Sequence, residues 1–108
     1  MLIAIADILS AEEIAHARDT LSRARFSDGK STAGWAARQV KDNLQAAPAP
    51  EIDALRETIE MRLRENATFA LAVRPLHVMG PMFSRYETGH AYGTHVDDAL
   101  LAGRRSDV

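Results

Sequence analysis

The sequence contains no cysteine in its 108 residues. Disulfides, iron–sulfur clusters and thiolate zinc sites are therefore excluded, and any metal has to sit on His, Asp or Glu. Four prolines and six glycines are too few for a collagen-like or low-complexity chain. No apolar run approaches the roughly 20 residues of a membrane-spanning helix. Neither sign of charge dominates: 13 basic against 15 acidic residues give a net charge of −2, so no sequence-wide footprint for nucleic acid follows. Residues 1–6 are apolar but short, lack a basic flank and run into Asp7, which is not the pattern of a signal peptide. What is present, 46% hydrophobic and 26% charged residues, is ordinary globular composition for one domain. A chain of this size buries roughly 65% of its unfolded surface. The expectation is a soluble cytoplasmic protein with no membrane and no nucleic-acid partner.

Residues 2–6 read as a short first strand. Ser10 and Glu13 stand at the spacing of a capping box, with Leu9 placed to staple onto Ile14. Ile14, Ala17 and Leu21 then form the apolar stripe of a helix that should end near Arg25. Residues 26–34 are turn-rich, residues 38–45 partly alternate and suggest a strand, and residues 46–50 form an Ala/Pro linker. A second helix starts at Pro50 and Glu51, which suit a first turn. It carries Ile52, Leu55, Ile59 and Leu63 at helical spacing and a Glu60–Arg64 pair, and it ends at Asn66. From Thr68 the character changes: 68–73 is apolar, Pro75 interrupts, and 76–79, 82–86 and 92–97 read as extended, with a turn at 87–90. Helices followed by strands, without a βαβ rhythm, predict an α+β architecture.

The chemistry concentrates in residues 83–97, at His95-Val96-Asp97. On a strand, residues i and i+2 share a face, so an imidazole and a carboxylate converge. That is two-thirds of the facial triad of non-haem Fe(II) oxygenases, which leaves open positions for substrate and O₂. The tripeptide alone is weak, since this composition produces about 0.3 such matches by chance. Other residues weigh less. His90 sits in a turn, His77 suits an edge or core position, and His16 suits a helix surface. Trp35 reads as ordinary packing, Met82 as a gap-filler, and Arg104-Arg105 as a solvated pair.

The surrounding residues carry a resemblance. Arg85-Tyr86-Glu87-x-Gly89-x-x-Tyr92-x-x-His95-x-Asp97 resembles the prolyl-4-hydroxylase-type Fe(II)/2-oxoglutarate dioxygenases. More narrowly, the whole chain is similar to the N-terminal part of the bacterial PKHD-type hydroxylases. Leu9-Ser10 before a helix, Asp28-Gly29, Gln39-Val40-Lys41-x-Asn43 and Pro81-Met82-Phe83-Ser84-Arg85-Tyr86 all contribute. The resemblance implies His95 and Asp97 as metal ligands and Tyr86 as a tyrosine that lines the 2-oxoglutarate pocket. Tyr92 would support that pocket. No side chain is assigned as a catalytic acid, base or nucleophile. The implied cofactors are Fe(II), 2-oxoglutarate as co-substrate and ascorbate, with O₂ and an unidentified hydroxylation substrate as reaction partners.

The same resemblance implies a fold of N-terminal helices leading into a double-stranded β-helix, or jelly roll, truncated here. The expected organisation is a support region over 1–75 and the first β-helix strands over 76–108. Only eleven residues follow Asp97, whereas the β-helix needs about eight strands of roughly 5–6 residues each. The family's distal His and its basic residue for 2-oxoglutarate have no matching positions. The chain thus reads as an N-terminal portion, inactive alone. Two alternatives stand beside it: a non-catalytic interaction module, whose open sheet edge admits a homo-oligomer, and a different, cupin-like metal oxygenase.

Overall fold

A computed structural model describes residues 1–95 and the short strands at 100–101 and 104–105. The architecture is mixed α+β, with three α-helices and small antiparallel sheets. The chain forms two compact units, each assembled from two stretches of sequence. A helical unit comprises 1–25 and 47–82, and a sheet unit comprises 26–46 and 83–108.

In the helical unit, α1 spans Ala11–Arg23. The Ser10 hydroxyl accepts from the Glu13 N–H at 3.1 Å, satisfying one orphan donor of the first turn. The reciprocal half of the expected capping box does not form. The Glu13 carboxylate instead receives both Nε (3.0 Å) and Nη2 (3.0 Å) of Arg62, 49 residues away. Ile14, expected on the apolar stripe, is exposed, and Thr20 is the buried residue of α1. The helix stops two residues before Arg25, with Ala24 as its C-cap. The strand expected over 2–6 is absent, and Asp7 adopts a positive φ of 58°. Among the described residues, no strand belongs to this unit.

Helix α2 spans Pro50–Glu65 as expected, with Pro50 in its first turn and Ile52 and Leu55 buried. Glu60 and Arg64 pair at 2.6 Å. Asn66 closes α2 and opens α3, Ala67–Val73, by accepting from the Phe69 N–H at 2.8 Å. The apolar run 68–73 is therefore helical. Ala67, Ala70, Leu71 and Ala72 favour a helix, and the cap supplies its start. Arg74 ends it in a left-handed conformation. Residues 76–79 form no strand.

In the sheet unit, β1 (Phe26–Asp28), β3 (Leu44–Ala46) and β4 (Ser84–Arg85) form one antiparallel sheet in the order β1-β3-β4. A second sheet pairs β2 (Lys41–Asp42) with β5 (Ala91–Tyr92), setting Lys41 opposite Tyr92. A third pairs β6 (Leu100–Leu101) with β7 (Arg104–Arg105). The turn-rich 26–34 thus contains a strand followed by a 3-10 turn over Gly29–Thr32. The strand expected over 38–45 is broken at Asn43 into β2 and β3, which join different sheets. Gly29 is needed where it is: a Cβ there would run into the Asn43 side-chain oxygen. Trp35, expected to pack, lies in the loop between two 3-10 turns and is exposed.

Candidate functional site

Strand β5 carries Tyr92 and ends there, so His95 lies beyond it and not on the strand expected over 92–97, while Tyr86 precedes β5. The Gly93 N–H donates to the Val40 carbonyl at 2.8 Å, which extends the β2–β5 pairing by one step. The Gly93 carbonyl lies 2.7 Å from His95 Nδ1. A carbonyl only accepts, so Nδ1 carries the proton, and in neutral imidazole the lone pair is on Nε2. A hydrogen bond from the remote ring nitrogen to a backbone carbonyl is the usual means by which a ligating His is oriented.

Tyr92 meets His95 directly. Their rings stack with centroids 3.7 Å apart and planes 8° from parallel. The Lys41 ammonium lies 5.4 Å from the Tyr92 centroid, within cation–π reach. Lys41 is only 7% exposed. Its Nζ donates to the Thr32 hydroxyl at 3.1 Å, and that hydroxyl in turn reaches Gln45 Oε1 and the Gly29 carbonyl. Asn43, 3% exposed, has no hydrogen-bond partner for its side-chain amide among the described residues. Lys41, Asn43 and Gln45 therefore form a buried polar line at alternate positions. Sequence reasoning missed this line. Its period of two was visible, but strong polarity there argued against burial.

Of the sequence-predicted residues, the structure brings Tyr92 and His95 together. Tyr86 is half-exposed, just beyond β4. Asp97 lies outside the described residues, and no group of three His, Asp or Glu side chains poised for a metal occurs among those that are described. What is present fits a metal in one respect: with Nδ1 donating to Gly93, the ring lone pair of neutral His95 is on Nε2, the nitrogen a metal would take. His90 is a turn residue whose Nδ1 accepts from the Glu87 N–H at 3.0 Å, beside Gly89 at φ 90°. Met82 is exposed. His16 lines a cleft of about 360 Å³ with Leu9, Leu55 and Arg62. His77 lines another of about 370 Å³ with Arg64, Phe69 and Arg74. Tyr86, Tyr92 and His95 line neither. No helix among the described residues is long and apolar enough to cross a membrane.

Comparison with known proteins gives a consistent result. No protein-family profile matches the chain, and no solved structure matches it. Curated proteins do. A PKHD-type hydroxylase of Picosynechococcus is 47% identical over 109 residues, covering all of this chain and 50% of the relative. One of Acaryochloris marina is 44% identical over 110 residues, again covering all of this chain and 50% of the relative. One of Maricaulis maris is 39% identical over 108 residues, with 49% of its length covered. Along its whole length the chain is thus related to the PKHD-type hydroxylases, and it spans about half the length of the curated relatives it matches.

Proposed function

We propose that this chain is the N-terminal portion of an Fe(II)- and 2-oxoglutarate-dependent hydroxylase, with His95 and Asp97 as two of three iron ligands. The observation that carries the reading is the His95 Nδ1–H hydrogen bond to Gly93, which leaves Nε2 as the ligating nitrogen of an H-x-D pair. Kinship with proteins named hydroxylases supports it. The distal His and the basic residue for 2-oxoglutarate are assigned to the part of the relatives' length that this chain does not span. There the β-helix begun around β4 and β5 would be completed.

Iron, when bound, would activate O₂, the oxidant: one oxygen atom would go to 2-oxoglutarate, giving succinate and CO₂, and the other into a substrate C–H bond as hydroxyl, with ascorbate keeping the metal reduced. The chain's own residues hold and orient. His95 presents Nε2, Tyr92 packs against the imidazole face, and Tyr86 is assigned, on the family resemblance alone, to hydrogen-bond the co-substrate. The substrate is an organic molecule with an accessible C–H bond.

The test uses a protein that carries this sequence at the full length of its relatives. Fe(II) and 2-oxoglutarate added without O₂ should produce a visible charge-transfer absorption. His95→Ala and Asp97→Ala should each remove it. An unchanged band in either variant overturns that ligand assignment, and no band in the parent protein favours the interaction module.

A further inference from the structure

The Val40–Lys41 stretch touches the His95 arrangement twice, once through backbone and once through a side chain. Val40 accepts from Gly93, the residue whose carbonyl holds His95 Nδ1. A Cβ at Gly93 would approach Val40 Cβ to 3.1 Å, so this backbone approach is close. One residue on, Lys41 stands opposite Tyr92 in register, and Tyr92 is stacked on His95.

Lys41 is an unusual choice for this place. A long ammonium side chain is rarely buried without a carboxylate. Among the described residues the partners of Lys41 are a hydroxyl, Thr32, and an aromatic face, Tyr92. Burial strips water from the ammonium and so strengthens its attraction to the ring. Thr32 fixes where the ammonium sits, and its one hydroxyl proton is shared between Gln45 Oε1 and the Gly29 carbonyl.

We infer that Lys41 is a positioning residue for His95: anchored by Thr32, its ammonium holds the Tyr92 ring against the imidazole and so fixes the ring plane in which Nε2 is presented. The inference deepens the reading of His95 as a metal ligand and rests on it for its functional meaning. The geometric claim is testable without metal.

The experiment reads the His95 ring protons by NMR in a metal-free protein that carries this sequence at the full length of its relatives. Stacking on Tyr92 should shift them upfield, and Tyr92→Leu should abolish the shift. Lys41→Met keeps the stem and removes the charge; it should lose most of the upfield shift, and Lys41→Arg should restore it. His90 ring protons, in the same unit, should stay in place, which separates lost positioning from general loosening. Thr32→Val removes the anchor without altering β2 and should act like Lys41→Met, so the claim remains decidable if Lys41→Met fails to fold. An unaltered His95 shift in Lys41→Met, or in Thr32→Val, overturns the inference, as does failure of Lys41→Arg to rescue.

A separate arm addresses the metal. In a chain of the relatives' length, Co(II) standing in for Fe(II) should bind about tenfold or more weakly to Lys41→Met than to the parent, with Lys41→Arg recovering. Co(II) binding untouched by His95→Ala would sink the ligand reading and leave the NMR result to judge Lys41. Binding lost in His95→Ala but unchanged in Lys41→Met would sink the positioning role alone.

Discussion

The two units of this chain are built on opposite principles. The helical unit buries Ile52 and Leu55 on one helix, with Thr20 from another, and clamps α1 to α2 by the Glu13–Arg62 ion pair. The sheet unit buries Lys41, Asn43 and Gln45 at alternate positions. Apolar burial stabilises without specifying much, whereas buried polar groups cost stability unless each finds partners. Of the buried polar residues, Lys41 reaches Tyr92, on which the exposed His95 is stacked, and the apolar interior lies in the unit that holds none of the proposed ligands. The difference separates residues that hold the chain folded from residues that hold a side chain in place.

The contrast can be broken most severely in the helical unit. Leu55→Ala should cost about 2–5 kcal/mol in denaturant unfolding, as expected for a truncated core leucine. A loss below about 1 kcal/mol would show that α2 does not carry the apolar core. Next comes the sheet unit. Gly29→Ala should cost about 1–3 kcal/mol, because the new methyl collides with Asn43. Asn43→Ala should relieve much of that cost in the double variant, and strict additivity in a double-mutant cycle would refute the collision. The smallest effect belongs to the ion pair. Hydrogen bonds that Arg62 donates to Glu13, and then to Glu65, raise its pKa above the ordinary value. A raised folded-state value means the contribution is fully present below the ordinary arginine range and lost only as pH climbs through the raised one. Arg62→Met should therefore lower the melting midpoint slightly and equally from neutral to mildly alkaline pH, and about 1 M salt should shrink the difference. A difference that grows with salt would contradict the pairing.

Much of the helical unit was legible because its signals are local. Ser10, Pro50, Asn66 and the Glu60–Arg64 pair act within a turn or two of where they stand. Glu13 misled because its partner lies 49 residues away, a distance no spacing rule covers. Residues 68–73 read only as apolar, because a run of that length suits a strand or a helix, and the cap on Asn66 decides between them. The strands of the sheet unit are two or three residues long, too short for alternation to register. Within the candidate site, His95 and Tyr92 were legible through the H-x-D block and its resemblance. Lys41 was not: a lysine is read as solvated until the tertiary structure buries it.

Asn66 closes one helix with its backbone and opens the next with its side chain. The corner between α2 and α3 therefore contains no spare residue. Chain length at that point is fixed: a residue inserted on either side would pull one cap out of register, and a deletion would force the two helices to compete for the same amide. Variation in length among related sequences has to be absorbed in the loops, and Asn66 is a natural fiducial for aligning them.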